Sequence, residues 1–324
     1  LLLARAGRPE LARQAAGGPG DGLVRALIEA LDGELERAAD LLSRSLEGGR
    51  LDPLARAWAL ADRGLVLWLA GRGPAARVDL EAAIKALPDE PLPRLALGEI
   101  ALAAADYGQA VAQLAAARAR CRRPAGSGAV AGDLLLLVLE PLSPAADELC
   151  ARATHSLAAA HLGAAFELLP AAMTGAAARA RAKAHLDAAV PFAPGSSLDA
   201  SRRFARGTLA LFERSWAAAR QELEAALAAD LPAGLEAPAH NNLAVALIEL
   251  GSLQRARRQL ETARRRGERS AELNLGILLD DHLPGGSEQA RQRYRAYLEA
   301  GGERSDEVRR WLATLEAVYG REAP

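Results

Sequence analysis

The feature that most constrains this chain is a triplet, small–large–small, that returns behind a turn residue. In residues 241–270 (NNLAVALIELGSLQRARRQLETARRRGERS) it is Ala256, Leu260 and Ala263, behind Gly251. Ahead of the turn, Leu243, Ala244 and Leu247 form a stripe of their own. Steps of i, i+3, i+4 and i+7 put such residues on one face of a 3.6-residue helix. The alanines let two such helices approach closely. The stretch therefore predicts one antiparallel helix pair. A single pair cannot bury its apolar face alone, so neighbouring pairs must complete the core.

The pattern recurs. Gly71, Ala76, Leu80, Ala83 and Pro88 repeat it, with Gly64 in the preceding helix. One period later come Ala105, Ala110, Leu114 and Ala117, preceded by Leu97 and Gly98. Arg214, Ala219, Leu223 and Ala226 follow Gly207, and Gly33, Ala38, Leu42 and Ser45 stand near the start. With a period of ~34 residues and this signature, the chain resembles the tetratricopeptide repeat family over most of its length. The resemblance implies an all-α fold: a right-handed superhelical solenoid of helix-turn-helix repeats with a C-terminal capping helix. Composition agrees. Alanine, leucine and arginine dominate and favour helix, and aromatics are only 4% of residues, too few for a strand-rich fold.

Taken in order, residues 1–18 read as the back half of a repeat whose front lies upstream, ended by Gly-Gly-Pro-Gly at 17–20. An N-terminal array spans 19–124, with Pro74 at a favourable first-turn position. The rhythm stops in an irregular apolar insertion at 125–149. Its run 134–139 (LLLLVL) reads either as a distorted helix filling a skipped repeat position or as a segment packed into a groove or partner interface. A second array spans 150–303. Its first pair has an insertion of roughly seven residues, 169–175, between its helices, and its last pair has a lengthened turn at 283–287. Residues 304–320 form the cap, with Val308, Trp311, Leu312, Leu315 and Tyr319 on one side.

The residues point to no catalyst. No Gly-rich phosphate loop and no dinucleotide fingerprint is present. His155, His161, His185, His240 and His282 are scattered, so no metal or cofactor site is expected. The insertion at 169–175 supplies no base, nucleophile or metal set. A formal charge of −1, from 40 basic and 41 acidic residues, gives no global field for nucleic acid or an anionic membrane. The strip Arg257, Arg258, Arg264, Arg265 and Arg266 reads as a solvated face, with Glu261 pairing Arg265 at i, i+4. Cys121 and Cys150 are the two cysteines. If the stretch between them loops out, a disulfide would staple it. No run reaches the ~20 apolar residues of a membrane span. Because the chain begins Leu-Leu-Leu without a methionine, the true N-terminus is expected upstream, and a membrane link is expected only through a possible lipid anchor there.

The family resemblance also implies where a partner binds. First helices of the repeats line the concave face, and register places Trp58, Leu65 and Trp68 there, then Leu92, Leu95 and Glu99. Phe204, Leu211 and Phe212 follow, then Asn241, Val245 and Ile248. Such a surface suits an apolar peptide or helix from another protein; the other reading is that these residues are interlayer core. The family's chaperone-binding subgroup grips a terminal carboxylate with Lys and Asn. The matching positions here hold Ala61, Leu95 and Phe204, so that mode is not expected. The last quarter resembles repeat lipoproteins of myxobacteria, including that of the adventurous gliding machinery, and more distantly pilotins of type IV pili. That resemblance implies a scaffold in a bacterial cell-envelope assembly, on the periplasmic side of the outer membrane. The alternative is a ligand-sensing or regulatory module of a larger cytoplasmic protein.

Overall fold

The structure, a computed structural model, describes residues 22–49, 51–121, 146–189 and 192–319. Among the described residues it contains helices and turns and no strand. The helices are α1 (Gly22–Leu31), α2 (Leu35–Glu47), α3 (Pro53–Leu69), α4 (Gly73–Ala86), α5 (Pro91–Ala103), α6 (Tyr107–Cys121) and α7 (Ala146–Ala172). There follow α8 (Ala176–Ala188), α9 (Ser197–Phe212), α10 (Trp216–Leu227), α11 (Ala233–Glu249), α12 (Leu253–Arg265), α13 (Ser270–Asp281), α14 (Ser287–Glu299) and α15 (Ser305–Tyr319). The chain forms two compact units, Leu1–Gly163 and Ala164–Pro324, and the division falls within α7. Inside each unit, helices pack as hairpin pairs, and each pair packs on the next in chain order. The half repeat at 1–18 and the apolar run at 134–139 lie outside the described residues.

Turn chemistry fixes the pairs. Four turns close in the same way, at Gly33, Gly71, Ala105 and Gly251, and Arg214 makes a fifth. In the second of them the Gly71 N–H donates to Trp68 O and the Arg72 N–H to Leu67 O, at 2.8 and 2.7 Å. These two bonds satisfy the last carbonyls of the helix and require a left-handed residue at the turn. Gly71 and Gly251 supply it at φ 78° and 72°. Ala105 and Arg214 adopt the same conformation at φ 57° and 56°, although side chains rarely do. Helix starts are defined by Asp52 and Ser196, whose side chains accept from the Ala55 and Asp199 N–H groups.

The triplets are the core. Ala76, Leu80 and Ala83, and their counterparts around Leu114, Leu223 and Leu260, are wholly buried. Opposite Leu80, Leu114 and Leu223 stand Gly64, Gly98 and Gly207 of the partner helices. A Cβ on Gly98 would lie 2.6 Å from Leu114 Cγ, and one on Gly207 2.6 Å from Leu223 Cγ. In the last pair the large position is Tyr294, against Gly276, and the following small position is Tyr297. These rings seat the cap. Tyr294 packs on Trp311 at 5.9 Å, and the Tyr297 hydroxyl accepts from the Arg304 N–H. Val308 and Leu315 of α15 are buried, as the cap requires.

Three expectations are corrected. Residues 169–172 do not delay a turn: α7 continues through Pro170 to Ala172, and only 173–175 connect to α8. Added as helix, the extra residues keep most backbone groups bonded. The Ala172 carbonyl at the helix end accepts from Arg179 Nη1 at 2.9 Å. Second, Cys121 and Cys150 are not joined in a disulfide. The Cys121 thiol is turned back onto its own helix, toward Arg118 O at 3.6 Å. Third, Glu261 pairs with Arg264 at i, i+3 (3.0 Å) and reaches Arg293, whereas Arg265 donates to Thr262. Arg264 of the same helix and the cross-helix Arg293 share the carboxylate that helical spacing alone assigned to Arg265.

Candidate functional site

Within each unit the first helices of successive pairs touch: α3 with α5 in the first unit, and α9 with α11 and α11 with α13 in the second. Each such helix packs on its own partner and on neighbouring pairs, so its buried arc is wide and its open arc narrow. That division sorts the expected binding residues. Leu65, Leu92 and Leu95 are at most 1% exposed and are interlayer core, not groove. Phe204 is also buried, stacked on Phe166 with centroids 6.1 Å apart. Asn241 is buried, its Oδ1 accepting from Asn274 Nδ2 at 2.8 Å. These positions are corrected from partner contacts to structural ones. Trp58, Trp68, Leu211, Phe212 and Ile248 are half-buried and keep an edge in solvent. Beside the two indoles, Leu54 and Leu69 are exposed at opposite ends of α3.

Polar groups also bridge first helices within each unit. Glu99, placed in the groove by register, is taken up internally. Its carboxylate accepts from Arg152 Nε and Nη2 at 2.8 and 2.7 Å and from Ser156 Oγ at 3.0 Å. In the second unit Asn242 Nδ2 donates to Thr208 Oγ1 at 3.1 Å, and the Asn274–Asn241 bond continues the series. Sequence reasoning overlooked this ladder. Its signal was present: Thr208 and Asn242 are 34 residues apart, one repeat period.

Of the three buried aspartates among the described residues, Asp79 is paired with Arg63, and Asp62 and Asp199 stand in contrast. Asp62 on α3 has an Oδ1 without a hydrogen-bond partner, and burial pushes its carboxyl up to about 8. Asp199 on α9 accepts from Arg202, Arg203 and the Gly195 N–H. Burial alone would raise it, but these donors outweigh burial and hold it below the usual carboxylate range. Of the basic strip, Arg264 pairs with Glu261 and Arg266 with Glu236.

Three clefts open between helices. One of about 270 Å³ is edged by Arg77, Lys85 and Gln113, and one of about 200 Å³ by Lys183, Arg206 and Glu222. A third, about 500 Å³, lies beside the cap between Arg269, Asn274 and Arg304. None of the half-buried groove residues lines any of them. Among the described residues, no group of three or more His, Cys, Asp or Glu converges as a metal site. Among them, too, no helix is long and apolar enough to cross a membrane.

The fold is a series of helix hairpins packed in chain order, the arrangement that the tetratricopeptide resemblance implies. No protein-family model matches the chain, and no curated protein matches it. Solved structures similar to it include a tetratricopeptide repeat protein from Parabacteroides merdae, 12% identical, with TM-score 0.41, covering 92% of this chain and 99% of that one. Another is Acl4, the assembly chaperone of RpL4, 20% identical, with TM-score 0.42 and coverage of 88% and 100%. The tetratricopeptide domain of P58(IPK) is 17% identical, with TM-score 0.31 and coverage of 86% and 72%.

Proposed function

We propose that this chain is a non-catalytic scaffold that holds a segment of another protein, a peptide or helix, against the first helices of its pairs, in a bacterial cell-envelope assembly. The observation that carries the binding reading is the surface mixture along those helices. Ring edges of Trp58, Trp68 and Phe212 and the half-buried Leu211 and Ile248 offer apolar area. In the second unit the half-buried amides of Asn242 and Asn274 lie on the first helices α11 and α13, with Ile248 also on α11. Apolar anchors beside fixed amides suit a polypeptide, whose side chains want burial and whose backbone wants hydrogen bonds. The envelope half of the reading is supported by the resemblance of the last quarter to myxobacterial repeat lipoproteins. The periplasmic face of the outer membrane is the location that resemblance implies, with any lipid anchor outside this sequence.

The test is affinity capture of the full-length protein from its own cells, gently solubilised, in parallel with Phe212→Ala and Trp68→Ala. Envelope or motor proteins should accompany the wild type. They should be lost from Phe212→Ala while its melting temperature is nearly unchanged, and Trp68→Ala should weaken capture more than it lowers melting. Capture unaffected by both variants would remove the groove. Soluble cytoplasmic companions would replace the envelope reading with a regulatory module of a larger protein.

A further inference from the structure

Asp62 is the one buried acid on α3. It is 3% exposed, and its Oδ1 has no hydrogen-bond partner. Trp58 and Val66 stand four residues to either side, on the same helical face. The neighbouring arginine is committed elsewhere. Arg63 donates to Asp79 of α4 through Nε and Nη2, at 2.7 and 2.8 Å, and to Ser43 of α2. The helices packed against α3 bring other charges, and the bonds they make go to partners other than Asp62. Glu47 of α2 acts on Arg63, while α5 carries Arg94, bonded to Gln113, and Glu99, bonded to Arg152 and Ser156. Among the described residues, no ion pair reaches Asp62. A carboxylate stripped of water with no compensating cation is far costlier than the neutral acid.

We infer that folding of the first unit takes up a proton onto Asp62, so that its core holds the neutral acid across the neutral range. Protonation completes no network. It removes the charge from a buried group whose Oδ1 has no donor.

The sign follows from linkage. In the unfolded chain Asp62 ionises near the ordinary aspartate value; in the folded unit it keeps its proton to about 8. Between these two values the folded state binds one proton more than the unfolded state. The contribution is fully present below pH ~4 and is lost progressively as pH rises toward 8, beyond which it no longer changes. The first unit is therefore acid-stabilised through the neutral range, a pH response built into one side chain.

The experiment is hydrogen exchange of the full chain from pH 5 to 8, corrected for intrinsic rates and read on peptides from α3 and α5. Their opening constant should rise with pH, approaching tenfold per unit, or ~10 for each proton released. Peptides from α9 and α11 should stay flat over the same range. Asp62→Asn should flatten α3 and α5. Glu90→Gln should leave the Asp62 slope in place, although burial also raises Glu90 at the start of α5. A flat wild-type profile, or an Asp62→Asn profile as steep as wild type, overturns the inference. A second reading needs no variant. The wild-type chain at pH 7 should show the infrared carbonyl band of a protonated carboxylic acid, and its absence would equally overturn the inference.

Discussion

Asp62 and Asp199 are buried to the same depth, 3% and 2% exposed, each on the first helix of a pair, α3 and α9. Asp62 has an orphaned oxygen and a neighbouring arginine that serves another acid. Asp199 is met by two arginines of its own helix, at i+3 and i+4, and by a backbone N–H. Depth of burial is thus a poor guide to what an acid does. The partners decide, and they push the two side chains in opposite directions from the same ordinary value. The repeat frame, by contrast, recurs in both units: a Cβ on Gly98 or on Gly207 would lie 2.6 Å from the Cγ of its leucine.

That contrast between a shared frame and private polar contacts can be attacked directly. The largest effect should come from the frame. Gly98→Val in the first unit and Gly207→Val in the second each force a side chain into a leucine that a bare Cβ already approaches within 2.6 Å. Each should cost about 3 kcal/mol, read as the shift in urea midpoint of its own unit by hydrogen exchange. A clearly unequal pair of losses would show that the two frames are not equivalent.

Next in size is the polar contrast. Asp199→Asn should destabilise the second unit by about 2 kcal/mol at pH 7, since two arginines lose their carboxylate. Wild-type stability supplied by Asp199 is present above the ordinary aspartate value and is lost as pH falls through the lower folded-state value. Acid titration of the second unit should therefore be shallower in the variant than in the wild type. The two units should also respond to acid in opposite directions where these side chains dominate.

The smallest effect concerns the turns. Ala105→Gly and Arg214→Gly place the permissive residue where φ is already near +57° and +56°. Each should stabilise its unit by roughly 1 kcal/mol, measured by thermal melting. Loss of stability in either would mean that the side chain, and not the backbone, holds that turn.

How much of this was legible in the sequence differs from residue to residue. Leu114, Leu223 and Leu260 could be placed in the core because each is repeated at a fixed distance behind its turn. The cap was legible from the spacing of Val308 and Leu315. The groove was less so. Register put Leu65 and Leu95 on the same helices as Trp58 and Trp68. It could not say which arc of each helix the next pair would cover. Glu99 looked like a groove residue because its clamp, Arg152, lies 53 positions away, beyond any helical or repeat spacing.

The sequence by itself determined the period, the pairing of helices, the turns and the buried triplets. Each of these is a local constraint, on a few consecutive residues, stated again in every repeat. Only the tertiary structure decided that α7 runs on through Pro170, that Phe204 and Asn241 are interior, and that Asp199 is satisfied while Asp62 is not. Those outcomes depend on which atoms meet at about 3 Å after the pairs have stacked, since a hydrogen bond or ion pair is made at contact distance or not at all.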